Sequence, residues 1–97
     1  MAKDVDILTA HGAVVLLLEN DGRLSAAELA AGCGLTERHI SRVLRDLREA
    51  GYLHRIGNGG GSRWIVNGEC GLTRPAFAGV RLREILPAAR AIRAREP

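Results

Sequence analysis

Arg38, Ser41, Arg42 and Arg45 stand three and four residues apart in TERHISRVLRDLREA, residues 36–50. A helix advances about 100° per residue, so all four share one face. That face carries three guanidiniums and a hydroxyl, with no carboxylate before Glu49 at its far end. Guanidinium forks suit phosphate and the acceptor edge of guanine. The chemistry on offer is therefore recognition of a polyanion rather than bond-making. A face that only meets water usually mixes signs, because opposite charges at i,i+4 support a helix and like charges there weaken it. Here arginine stacks on arginine, and a polyanion would relieve the repulsion. Glu37, Asp46 and Arg48 lie on the flanks, as does His39, which is placed to touch a backbone phosphate. Taken alone the row reads as the solvated face of an amphipathic helix; joined to a capped helix before it, a glycine turn and a hairpin after it, it points to double-stranded DNA as partner.

A second stretch raises a different chemistry. GNGGGSRW, residues 57–64, packs four glycines into eight positions. A dinucleotide cradle needs a strand before the glycines, a helix after them and an acidic residue about 20 positions on. A phosphate-binding loop of the Walker type needs Gly-Lys-Ser/Thr at a helix start. Neither context is present: YLHRI and RWIV flank the glycines with β-formers, and no lysine follows. The stretch reads as the tip of a two-stranded hairpin, with Arg55, Asn58 and Arg63 near it.

The remaining candidates carry less. His11, His39 and His54 have no metal-like spacing to one another or to Cys33 and Cys70. Two distant cysteines make neither a disulfide scaffold nor a zinc site, and both read as reduced thiols. Trp64 reads as a core anchor under the hairpin, and Tyr52 as packing at its start. No Ser/His/Asp or Cys/His set comes with a supporting motif, so no enzyme activity and no cofactor are expected. The N-terminus, MAKDVD, lacks the order of a signal peptide, and the apolar run Ala13–Leu18 is too short to span a bilayer. A cytoplasmic protein is expected.

The elements that must position the arginines are also legible. Ninety-seven residues make one small domain. Aromatics are 3% of the chain, so the core must be aliphatic. Residues 1–50 carry six basic against eight acidic residues, net −2, and residues 51–97 eight against three, net +5. Thirteen of the fourteen basic residues are arginine. Val5–Asn20 reads as a helix buried on several sides, because AVVLLL is apolar all round. Asn20-Asp21-Gly22 is a turn, and Arg23-Leu24 a brief strand. Ser25 with Glu28 forms a capping box for a helix from Ala26 to about Gly32. Gly34 supplies a tight turn, and Thr36 caps the next helix, with Glu37 in its first turn. That helix buries Ile40, Val43, Leu44 and Leu47 opposite the arginine row and ends at Gly51. NGECGLTRP reads as a loop. Gly79–Arg95 has helical spacing, with a kink or a break into two short helices at Pro87.

Helix, capped helix, glycine turn, second helix and basic hairpin together resemble the winged helix-turn-helix family. The residues that carry the resemblance are LSAAELAAGCGLTERHISRVLRDLREAGYLHR, with Ala30, Gly34 and Ile40 at the small, glycine and aliphatic positions of the motif. HGAVVLLLEND, LTERHISRVLRDLREAGYL and the hairpin look, more narrowly, like small bacterial MarR-like regulators, over residues 9–87. The fold implied is mainly α with a small antiparallel β-hairpin. The winged domain would span residues 5–68, with a loop and helical tail over 69–97. The resemblance implies a sequence-specific transcriptional regulator whose helix from Thr36 enters the major groove. Arg38, Ser41, Arg42 and Arg45 would face bases and phosphates. Thr36 would meet a phosphate at the helix N-terminus. Arg55, Arg63 and Asn58 would lie along the backbone, because the glycine tip suits phosphate contact better than base reading. A homodimer is expected, joined through the first helix and Gly79–Arg95. The alternative is a winged-helix protein-docking module in a larger assembly.

Overall fold

Two local caps start the two helices that matter most. The computed structural model describes residues 6–57 and 61–92. Helix α1 spans Ala10–Asn20, α2 Ala26–Cys33 and α3 Glu37–Glu49. Strands β1, Leu53–Ile56, and β2, Arg63–Val66, follow. At the head of α2 the Ser25 hydroxyl accepts from the Glu28 N–H at 3.1 Å, and the Glu28 carboxylate accepts from the Ser25 N–H at 2.9 Å. Thr36 caps α3 by accepting from the His39 N–H at 3.1 Å. Between the two helices Gly34 sits at φ 68°, ψ 33°, and its N–H returns to the Ala30 carbonyl. Only glycine takes that left-handed conformation without strain.

The chain is mostly helical with a two-stranded antiparallel hairpin, the architecture of a winged helix-turn-helix domain. β1 and β2 pair as Leu53↔Val66, His54↔Ile65, Arg55↔Trp64 and Ile56↔Arg63. The core is aliphatic. Val14, Leu29, Ile40, Val43 and Leu53 are almost fully buried, and Trp64 closes it beneath the hairpin. α1 lies at the centre and packs against α2, α3, β2 and the turn Leu86–Ala91. This explains an apolar sequence with no polar face.

Three expectations need correction. α1 begins at Ala10 and not at Val5, which lies outside the described residues. Asp6 accepts from the Leu8 N–H, and Thr9 from the Gly12 N–H, both at 3.1 Å. Such short side chains compete with helical hydrogen bonds and favour a start after them. Arg23-Leu24 forms no strand. One hydrogen bond, from the Trp64 N–H to the Gly22 carbonyl at 2.8 Å, joins this segment to the hairpin.

The segment after Gly79 does break into two short helical pieces, but they are 3₁₀ and not α-helical. It forms 3₁₀ turns at Leu82–Glu84 and Leu86–Ala91, after an earlier one at Pro75–Phe77. Residues 93–95 lie outside the described residues. The break falls at Ile85, two residues before Pro87, which has no N–H to give. Longer-range bonds also hold the segment open. Gly71 bridges Arg81, the Arg83 N–H reaches the Gly68 carbonyl at 2.8 Å, and Glu69 binds Arg81 at 2.6 Å and Arg83 at 3.1 Å. Leu82 and Ala89 are buried, and Asn20 donates to the Ala89 carbonyl at 3.0 Å.

Packing against Trp64 leaves Gly22 no room for a side chain. A Cβ there would fall inside the contact radius of the Trp64 carbonyl oxygen, whereas one on Gly34 would meet nothing within 4 Å. Gly22→Ala is expected to lower stability by about 2–3 kcal/mol, as overpacking does, and to shift Trp64 fluorescence. Gly34→Ala should cost about 1–2 kcal/mol through backbone strain alone and leave that emission unchanged. Urea unfolding followed by fluorescence and circular dichroism checks both.

Candidate nucleic-acid interface

α3 owes its orientation to one buried stripe. Ile40, Val43 and Leu47 sit in the core, with Leu44 half-buried beside them. Burying that stripe turns the opposite side outward. Arg38, Ser41, Arg42 and Arg45 are all exposed, as are Thr36 and His39 at the helix start. Among the described residues none of these arginines forms an ion pair. The sequence-predicted residues of α3 therefore meet on one surface.

One acid of α3 is drawn off that surface. Asp46 is held by His11 of α1, with Nε2 and Oδ2 3.0 Å apart. His11 carried no role in the sequence reading, and no local pattern could have paired residues 35 positions apart. Its effect is to keep a carboxylate turned toward α1 and away from the arginines. Both side chains are half-exposed, so the pair adds little stability. Its consequence is for the field along the helix.

The hairpin places its residues less uniformly. Arg63 opens β2 and is exposed. Arg55 is held back: its guanidinium lies 5.1 Å from the centre of the Trp64 ring and donates to the Ser62 hydroxyl at 3.1 Å. Asn58 lies outside the described residues. Arg23, which the sequence reading passed over, lines the same cleft as Arg55 and Arg63. The missing signal is the Trp64–Gly22 hydrogen bond, which carries Arg23 to the hairpin. Trp64 itself is buried, and the Tyr52 hydroxyl donates to the Gly71 carbonyl at 2.8 Å.

The far end of α3 is also fixed. The Gly51 carbonyl accepts from Asn67 Nδ2 and from the Cys70 thiol, each at 3.2 Å. Asn67 Nδ2 also lies 3.2 Å from the Cys70 sulfur. Cys33 is half-buried at the end of α2, and burial, helped by the charge of Asp6, pushes its thiol pKa above the ordinary value. No helix among the described residues is long and apolar enough to cross a membrane.

An outward arginine helix, a capped helix across a tight turn and a basic hairpin define a DNA-binding class of fold. The comparison of families agrees. The Crp-like helix-turn-helix domain matches residues 9–74, about two thirds of the chain. The chain belongs to that family, whose members bind DNA through this motif. No curated protein gives a significant match, and neither does a solved structure. The match covers α1, α2, α3 and the hairpin. It identifies the motif as Crp-like.

The state of Cys33 yields a check on the local electrostatics. A thiol that stays protonated reacts slowly with electrophiles. Cys33 is expected to alkylate with iodoacetamide more slowly than a free thiol at pH 8. Asp6→Asn should speed it, because the repelling charge is gone. Mass spectrometry of peptides sampled over time reads both rates.

Proposed function

We propose that the protein is a sequence-specific transcriptional regulator that sets α3 into the major groove of duplex DNA. The observation that carries this reading is the outward, acid-free face of Arg38, Ser41, Arg42 and Arg45, backed by the buried Ile40, Val43 and Leu47. Arginines spaced along one face of a helix reach base edges and flanking phosphates together. Thr36, with its oxygen engaged by the His39 N–H, keeps a hydroxyl proton to offer a phosphate. His39 lies beside it. Arg63, Arg55 and Asn58 would serve the backbone from the wing. In this reading residues 5–68 carry the DNA contacts and residues 69–97 supply a dimerisation segment, of which Leu86–Ala91 packs on α1.

A homodimer fits this reading, because one short helix reads few bases and two half-sites multiply affinity and specificity. An open apolar groove of about 490 Å³ supports it, lined by Val15, Leu47, Leu72, Phe77 and Ile85 among others. Exposed Ile7 and Leu8 stand just before Thr9 at its edge. A place among the small MarR-like regulators, in the cytoplasm beside the nucleoid, rests on the His11-Gly12 opening of α1 and on the tail after the wing.

Arg42→Ala is expected to weaken binding to a selected site by about 1–3 kcal/mol, the worth of a bidentate pair with guanine, and to relax its specificity. Arg63→Ala should weaken all sequences alike and reduce the salt slope by about 1. Fluorescence anisotropy with a selected and a random duplex, across a salt series, separates them. Negligible effects from both would sink this docking mode.

A further inference from the structure

A cleft of about 420 Å³ opens at the root of the wing, between the turn after α1, the start of α2, α3 and both strands. Arg23, Arg55 and Arg63 line it, with Ser25, Ser62 and Leu44, and no carboxylate stands among its described lining residues. Three cations around one cavity repel each other. This chain elsewhere relieves such crowding with an acid: Glu69 takes up both Arg81 and Arg83. Among the described residues that line the wing-root cleft, none is an acid. Glu28, the nearest acid of α2, is engaged by the Ser25 N–H in the capping box. Glu19 and Asp21 line a neighbouring cleft, which shares Arg23 and Arg63 with this one.

One guanidinium is held in place, and the backbone that carries a second is fixed. Arg55 rests on the Trp64 ring and on Ser62. Arg23 follows the Gly22 carbonyl bound by Trp64, and its N–H donates to Asp21 Oδ1 at 3.0 Å. Leu44 places the cleft against α3, one residue before Arg45. Three guanidinium side chains lining one cavity, one of them already positioned, match a tetrahedral oxyanion, which accepts paired N–H donors.

We infer that this cleft binds one phosphate oxyanion, that of a DNA backbone phosphodiester, and that Arg23 is a contact residue alongside Arg55 and Arg63. The inference rests on the proposed function and adds a residue outside both the recognition helix and the hairpin. A free phosphate or phosphate monoester offers the same chemistry, and the experiment separates the two sources.

The probe is a duplex in which single phosphodiesters are replaced, one position at a time, by neutral methylphosphonates. Wild-type protein is expected to lose about tenfold in affinity at one linkage beside the half-site. Arg23→Ala should bind the unmodified duplex about tenfold more weakly, with a salt slope lower by about 0.9, the value for one phosphate, and should no longer sense that linkage. Arg90→Ala, an exposed residue of the tail, should match wild type throughout. Urea midpoints confirm that the variants fold. If Arg23→Ala keeps wild-type affinity, salt slope and linkage sensitivity, the site is overturned while DNA binding stands. If calorimetry shows that Arg23→Ala loses only inorganic phosphate, with DNA binding untouched, the DNA backbone is not the ligand. If wild type binds no duplex, the proposed function falls together with this site.

Discussion

Burial of Ile40, Val43 and Leu47 fixes the rotation of α3 about its own axis, and nearly everything else in the molecule follows from that. A helix with a 3.6-residue repeat has no freedom to show its arginines once its aliphatics are committed to a core. The core in turn is held by α1, whose apolar residues touch α2, α3, β2 and the tail. Turning α3 by one residue would put Leu44 or Arg48 where Val43 or Leu47 now sits, and a buried guanidinium without a partner is costly. The arginine surface is therefore a by-product of packing, and it is as rigid as the packing is.

The parts of the fold legible in the sequence are those decided locally. The cap of α2 is written in Ser25 and Glu28, and the cap of α3 in Thr36, each within three residues of its partner. The outward face of α3 follows from spacing alone. The hairpin follows from β-formers on either side of a glycine run. The start of α1 was less legible, because Asp6 and Thr9 divert backbone N–H groups that a pattern of apolar residues does not reveal. The tail was least legible. Leu82, Ile85, Leu86 and Ala89 have helical spacing, yet Glu69 and the backbone of Gly68 and Cys70 pull the segment into 3₁₀ turns from a distance.

The candidate site divides in the same way. Thr36, Arg38, His39, Ser41, Arg42 and Arg45 share one helix, so periodicity alone groups them. Arg23 joins Arg55 and Arg63 only through a hydrogen bond across 42 residues, from Trp64 to Gly22. His11 reaches Asp46 across a similar separation. Neither pairing leaves a trace in local spacing. Arg55 shows a further limit: its position near the hairpin was plain, but its rest against Trp64 depends on strand register, which places the two directly opposite.

The clasp on the Gly51 carbonyl has a consequence for encounter kinetics. The last turn of a short helix commonly frays, since its final carbonyls lack partners. Here the Asp46, Leu47 and Arg48 carbonyls accept from the Ala50, Tyr52 and Gly51 N–H groups; Asn67 and Cys70 clasp the Gly51 carbonyl just beyond, and the Leu82 N–H, bound to the Cys70 carbonyl at 2.8 Å, anchors that clasp to the tail. The helix therefore arrives at its target already whole along its length. Its ordering entropy is lost during folding and not at each collision, so successful docking depends on orientation and charge, and little chain rearrangement stands between contact and capture.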